Sequence, residues 1–600
     1  MGGGGAGIRV RSTRRLATMN FDRQARATLE SLDFASALRR LGQVKPCYAT
    51  LDHALWRWNC NPQHDTENGY PASEAARGGS RGRKCDVEGT SVERPGPATS
   101  ASACFTRDPS WCRRRGRLPV LYARTLQRRR MPNPTSDFES ALTALRAAPK
   151  DRYDAGRARL EAVPLEAHVE TAVGAGRVDP LTILAKQDKT RLPGLISLRY
   201  GRMSRTPFTF LRGSAAIMAA DLAAGVRTDL QVELCGDAHL GNFRWYHAPT
   251  RELVFDLNDF DETLPGPFEW DVKRLAASVA VSARASGFTN EQARHATRSA
   301  MRDYRRFIAE TSERNPLDLH YYRFDSQGAL ERIARHGKEH RKWKEAVLEK
   351  ATRRNSLLAL EKLTTVVNGR RMIVPDPPLI VRVDDEIAAA GASAVTECLN
   401  NYRQSLALEH RLLFDRFALV DVARKVVGVG SVGTRCLIAL FEAGDGTPLF
   451  LQLKQATSSV LEAHLGASNF KHAGQRVVEG QRLIQATSDV LLGWARWRES
   501  NGRQTAFYFR QLWDGKGKIS VETLGPKRLA AYAGLCGKTL AFAHARSGDA
   551  MMIRGYIGND NSFDDVMVAY AERYADITAQ DHAKLCEAIN DGAIEAIRDN

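Results

Sequence analysis

The sequence predicts a mixed α+β fold of two lobes, and three observations predict it. An apolar strand, Val232-Glu-Leu-Cys235, runs into a polar loop and is followed by a strand pair and a carboxylate-rich turn. A glycine-rich segment, Lys425–Thr434, stands beside further strand-like runs. Helical patterning fills most of the rest, at 131–229, 290–420 and 516–600.

The 600 residues carry 87 Lys and Arg against 69 Asp and Glu, a formal charge of +18. That charge is unevenly spread: residues 1–130 hold 24 Lys and Arg against 11 Asp and Glu, and the remainder is nearly balanced. At 43% hydrophobic and 26% charged, the body has a globular composition and length for about two to four domains, which excludes fibrous and wholly disordered classes. No apolar run reaches the roughly eighteen residues of a spanning helix, so no membrane partner is expected. Met1–Met19 has no apolar signal core. Ten scattered Cys make no disulfide framework and point to a reducing cytoplasm.

Residues 72–130 are rich in Gly, Ser, Pro and Arg, with clusters at Arg113–Arg115 and Arg128–Arg130, and read as disordered. Arg runs without interleaved aromatics argue weakly for nucleic acid as a partner. Cys47, His53, Cys60 and His64 lack the close Cys pair of most zinc folds. Met131 opens a more regular sequence, so residues 1–130 are read as a basic extension outside the fold.

Chemistry gathers in Leu230–Ala276, around Gly236-Asp-Ala-His-Leu-Gly-Asn242 and Asp256-Leu-Asn-Asp-Phe-Asp-Glu262. Phosphoryl transfer needs a carboxylate beside the attacking hydroxyl, an amide oxygen on magnesium and a second carboxylate on the same metal. Asp237, Asn242 and Asp259 fit those roles in that order, with Asp256 competing for the last. Taken singly, Asp and Asn in turns are more often caps and turn formers.

Gly236–Asn242 resembles the Gly-Asp-x-His-x-x-Asn catalytic loop of aminoglycoside-phosphotransferase-like and other protein-kinase-like enzymes, with Asp237 and His239 as its catalytic residues. Asp259-Phe-Asp-Glu262 resembles their metal-binding turn. From roughly 170 to 600 the chain also looks like the bacterial domain-of-unknown-function family "twenty-two fifty-two", grouped with kinase-like folds. The resemblance implies a protein-kinase-like fold, ATP and magnesium as cofactors, and a bracing role for Asp271 on the helix after the turn. One departure is Cys235, where such loops usually begin with His.

The glycine loop comes later in the chain, as Gly428-x-Gly430-x-x-Gly433. Glycines let backbone amides approach phosphate, and Lys454 on a following strand can reach its oxygens. Glu479, on a helix-like run from about Gln475 to Thr487, is placed to pair with Lys454. The same glycine pattern fits a Rossmann turn, but that needs a helix after Gly433, where a hairpin through Gly444-Asp-Gly446 is read instead. Strands are expected at Asp489–Trp497 and Thr505–Leu512, then a hinge at Trp513–Lys516. Catalytic loop first and glycine loop second means a circularly permuted lobe order, with the helix Leu529–Ala545 preceding the catalytic loop in space.

The expected organisation is an extension (1–130), a helical region (131–229), a part bearing the catalytic loop and metal turn (230–420), a glycine-loop part (421–515) and a helical C-terminal part (516–600). Arg212-Gly-Ser214 is open between a phosphate contact and a helix start, and His544, Arg546 and Asp549 between cleft lining and helix-end chemistry. The expected function is an ATP- and magnesium-dependent phosphotransferase, its acceptor unknown and a small molecule favoured over a protein. The alternatives are a non-catalytic nucleotide-binding module, an AMP transferase and a Rossmann-type NAD-binding oxidoreductase.

Overall fold

The computed structural model describes residues 146–171, 176–323, 349, 356–512, 517 and 519–598. The basic extension, Cys47, His53, Cys60 and His64, the expected hinge at Trp513–Lys516, and Arg332–Lys350 apart from Glu349 lie outside the described residues.

Helices α1 (Pro149–Ala162), α2 (Pro180–Asp188), α3 (Ile196–Met203), α4 (Pro207–Gly213) and α5 (Ala215–Ala223) come first. Proline in the first turn marks the starts of α1, α2 and α4, and the side chains of Asp179 and Thr206 cap the latter two. Arg212-Gly-Ser214 is thus a helix junction, ending α4 and opening α5. Four short strands follow: β1 (Gln231–Leu234), β2 (Phe243–His247), β3 (Leu253–Leu257) and β4 (Leu264–Pro267). β2 and β3 pair as expected. β4 is an addition, since Leu-Pro-Gly-Pro does not read as a strand, yet it pairs antiparallel with β1, Leu264 opposite Leu234. That pairing sets the loop leaving β1 beside the turn entering β4.

The helical body continues with α6 (Glu269–Ala285), α7 (Asn290–Ser312) and α8 (Pro316–Tyr321). Residues 290–420 are less helical than their pattern implies. After α9 (Ser356–Leu363) they form the hairpin β5 (Thr364–Val367) and β6 (Arg370–Ile373), then β7 (Ile380–Arg382). The β-branched run Thr364–Val367 and the turn Asn368-Gly369, both at positive φ, account for the hairpin. Helices α10 (Asp384–Ala390), α11 (Ala392–Ser405) and α12 (Leu408–Phe414) precede β8 (Phe417–Lys425), so the boundary expected at 421 falls inside a strand.

β9 (Cys436–Ala443), β10 (Pro448–Gln455), α13 (Glu462–Leu465), α14 (Ala473–Ile484), β11 (Gly493–Arg498) and β12 (Gln504–Gln511) follow. They complete a six-stranded sheet in the order β11-β12-β10-β9-β8-β7, antiparallel throughout. Alternation divides its faces. Leu449, Leu451, Leu453, Phe507 and Phe509 pack against Tyr402 of α11, whereas Gln452, Lys454, Tyr508 and Arg510 point the other way, toward the site, and Phe450 on that face packs against Ala359 and Leu363 of α9.

The chain closes with α15 (Pro526–Ser547), α16 (Ala550–Ile557) and α17 (Ser562–Asn590), which join α6 and α7 in one large core. Ser547 accepts a hydrogen bond from the Glu233 amide (3.1 Å), so the end of α15 abuts β1. Helices α7 and α15 approach closely because α15 presents Gly534 and Gly537: a Cβ on Gly537 would stand 2.0 Å from the Ala300 carbonyl oxygen. Helix propensity alone would make Gly537→Ala stabilising by about 1 kcal/mol. The clash reverses the sign, and urea unfolding is expected to show a net loss of about 1–3 kcal/mol.

Candidate active site

Helix α6 is buried along nearly its whole length although four of its buried residues are charged. Each is satisfied by a different part of the chain. Glu269 accepts from the Thr228 amide and hydroxyl (2.8 and 2.7 Å). Lys273 lies over the Tyr570 ring (4.8 Å). Asp271 accepts the amides of Cys235 (2.8 Å) and Gly236 (3.1 Å), which fixes the start of the Asp–Asn loop. Arg274 donates to Asp237 Oδ1 (2.9 Å) and to the Leu211 carbonyl (2.6 Å).

Gly236 is required by geometry: its φ is +79°, and a Cβ there would lie 2.4 Å from the Glu262 carbonyl oxygen. The Asp–Asn loop and the acidic turn therefore touch. Asn242 donates to the Asp237 carbonyl (2.7 Å) and closes the loop. His239 is buried; its Nδ1 accepts the Gly241 amide (3.0 Å), which leaves the proton on Nε2, 3.7 Å from Asp237 Oδ2. Burial, with Arg212, Arg274 and Arg244 nearby, holds His239 well below its usual pKa, so the ring is neutral. Burial pushes the Asp237 carboxyl up to about 6, against the pull of Arg274.

Lys454, only 2% exposed, crosses from the sheet to Asp259 (3.1 Å) and Asp261 (2.6 Å). Burial opposes its charge, but the two carboxylates more than offset that and hold the ammonium well above its usual range. Burial likewise opposes ionisation at Asp259, and Lys454, Arg510 and Arg244 outweigh it, keeping the carboxyl below its usual range. Tyr508 donates to Asp261 (2.7 Å), and Arg510 to the Asn258 carbonyl (2.9 Å) and Gln452 (3.1 Å).

The expected Lys454–Glu479 pair is not formed. Glu479 lies on the half-exposed side of α14 and pairs with Arg482 (3.2 Å). The inward side instead offers Arg476, which donates to the carbonyls of Asp261 (2.7 Å) and Thr263 (2.6 Å). Asp256 also differs from its expected metal role. Its oxygens accept the amides of Leu257 and Ala486 (both 2.9 Å), a structural use.

The glycine loop connects antiparallel β8 and β9, with no helix after Gly433. Its carbonyls are tied down: Arg202 donates to Gly428 (2.7 Å), Arg191 to Gly430 (2.9 Å) and Val432, and the Leu192 amide to Gly433 (2.8 Å). Among the described residues the amides of Gly428, Gly430, Ser431 and Gly433 make no hydrogen bond. Gly430 abuts the Arg212 carbonyl, and the Arg212 side chain abuts Gly241, so the glycine loop and the Asp–Asn loop meet across one residue.

Residues 191–588, from Arg191 through every site element above, match the family described as "Uncharacterized protein conserved in bacteria (DUF2252)". The chain belongs to this family. No curated protein and no solved structure matches it.

Within the DUF2252 region, sequence reasoning missed Arg274, Arg476, Arg510 and Asp261, because each acts through a long-range contact that no local spacing encodes. His544, Arg546 and Asp549 do not line the cleft. His544 is wholly buried between Tyr304 (2.9 Å) and Asp271 (3.6 Å), filling the core behind Cys235. Arg546 donates to the Ile484 and Tyr322 carbonyls, and Asp549 caps α16. A cavity of about 530 Å³ lies on the opposite face of the sheet, lined by Val395, Leu437, Phe441, Leu453 and Phe509, away from this chemistry. Asp271→Ala strands two buried amides and is expected to cost about 3 kcal/mol in chemical denaturation. Asp271→Asn, which keeps one acceptor, should cost less.

Proposed function

We propose that this chain is an ATP- and magnesium-dependent phosphotransferase of kinase-like fold with circularly permuted lobes, acting on a small-molecule acceptor. One observation carries the reading: Lys454 meets the acidic turn directly, while the glycine loop, its carbonyls bound and the amides of Gly428, Gly430, Ser431 and Gly433 without a partner among the described residues, meets the Asp–Asn loop at Arg212. Free amides beside a lysine suit phosphate oxygens.

In this reading Asp237 Oδ1 is immobilised by Arg274, and Oδ2 accepts the proton of the attacking hydroxyl. A carboxyl raised to about 6 by burial is a stronger base than an ordinary aspartate and stays ionised near neutrality. His239 orients that carboxylate from behind. Asn242 Oδ1 and Asp259 Oδ2 accept no hydrogen bond among the described residues and are the oxygens that would hold magnesium. Magnesium, when bound, supplies charge neutralisation at the phosphates. Three or more His, Cys, Asp or Glu gathered as for a metal are not found among the described residues, but magnesium shared between one or two carboxylates and phosphate needs no such cluster. Lys454 would pass from the carboxylates to the phosphate oxygens. The antiparallel β8–β9 connection lacks the βαβ unit of a dinucleotide fold, which weighs against NAD.

Thermal melts test the binding half: ATP with magnesium should raise the melting point by mass action and NAD should not. Asp237→Ala should then lower nucleotide turnover by about 100- to 10,000-fold with ATP binding retained. Analysis of the nucleotide product separates phosphoryl from AMP transfer. Equal turnover in the variant would remove Asp237 from the chemistry, and ATP binding without turnover in the wild type would leave a nucleotide-binding module.

A further inference from the structure

We propose that Arg212 and Arg244 form an oxyanion site that holds a phosphate group beside Asp237. Arg212 is wedged between two loops: its carbonyl lies 3.0 Å from where a Cβ on Gly430 would stand, and its Nε 3.4 Å from where a Cβ on Gly241 would stand. Arg244 leaves the Asp–Asn loop on β2, opposite Asp256 in the ladder, but Asp256 is committed to the Leu257 and Ala486 amides. The Nε atoms of both arginines are buried without a partner, and neither guanidinium forms a hydrogen bond or ion pair among the described residues.

The other cations of the site are committed. Arg274 is taken by Asp237 and Leu211, Lys454 by Asp259 and Asp261, and Arg510 by Gln452 and Asn258. Burial opposes the charge of Arg212; Glu522, and then Asp237 and Asp259, attract it from a distance, and Arg202 repels it. Burial opposes the charge of Arg244, and Arg510 and Arg212 add repulsion against the attraction of Asp259. Two guanidiniums so placed, with no carboxylate joined to either, are costly unless an anion joins them. Their planar forks match phosphate oxygens. That the phosphate is the one being transferred, or one carried by the acceptor, rests on the phosphotransferase reading; the oxyanion site does not.

Calorimetric titration of the full chain with pyrophosphate alone, with Mg-ATP and with Mg-ADP tests this. Wild type is expected to bind pyrophosphate, and R212Q and R244Q each to weaken that binding at least about tenfold. If the site holds the terminal phosphate of the nucleotide, both variants weaken Mg-ATP and spare Mg-ADP. If it holds an acceptor phosphate, both nucleotides bind as before while pyrophosphate is still lost. Pyrophosphate binding that depends on the two arginines in a chain that ignores ATP keeps this site and removes the phosphotransferase reading. Should a glutamine variant melt early, R212K and R244K, which keep the charge without the fork, carry the comparison and should show a partial loss. A wild type that does not bind pyrophosphate, or variants that bind it as wild type does, overturns the proposal.

Discussion

The arrangement depends on one constraint: α6 is buried and charged at once. A charge taken out of water is tolerated only when it is paired or hydrogen-bonded, so Glu269, Asp271, Lys273 and Arg274 must each find a partner, and the partners lie in four different segments. Thr228 before β1, Cys235 and Gly236 after it, Tyr570 on α17, and Asp237 with Leu211 are thereby anchored to one helix. The Asp–Asn loop is rigid because it answers the hydrogen-bonding demands of that helix. A site built on a fixed element holds its geometry better than one left to a free loop.

Lys454 does for the sheet what Asp271 does for the helices. Its pairs with Asp259 and Asp261 join the sheet directly to the acidic turn. Buried ion pairs are weak stabilisers once desolvation is counted, so stability alone is a poor reason for this one. The carboxylates are about a third exposed while the lysine is enclosed, an arrangement in which an incoming anion and cation can divide the pair between them. The glycine loop meets the Asp–Asn loop at Arg212, and Arg191, Arg202 and Arg212 from the N-terminal region hold it there.

Local signals in the sequence were good guides to local structure. The glycine spacing and short connection at Gly444-Asp-Gly446 gave the β9–β10 hairpin, and the apolar strand before Gly236 gave β1. The Asp237–Asn242 spacing marked a real loop, and the resemblance to kinase-like loops pointed to Asp271, which accepts the amides at its start. What could not be read depended on which side of a helix faces inward. Glu479 and Arg476 lie three residues apart on α14, and both suit a polar helix. Only the packing of Gly480 against Thr263, where a Cβ would stand 2.3 Å from the hydroxyl, turns Arg476 rather than Glu479 to the acidic turn. His544 was visible as a histidine near a helix end, but its contact with Asp271 spans more than 270 residues. β4 was hidden because its prolines and glycine argue against a strand, and only pairing with β1 makes it one.

In the proposed phosphotransferase, the acidic turn, the Asp–Asn loop, Lys454 and the glycine loop enclose one nucleotide with its metal. Anomalous scattering from crystals of the full chain grown with manganese and a non-hydrolysable ATP analogue tests it most directly. The expected result is a metal peak between Asn242 and Asp259, with phosphates under Gly428–Gly433 and Lys454 withdrawn from the carboxylates onto a phosphate oxygen. Metal and nucleotide bound elsewhere, as in the cavity behind the sheet, with the Lys454 pairs intact, would contradict it.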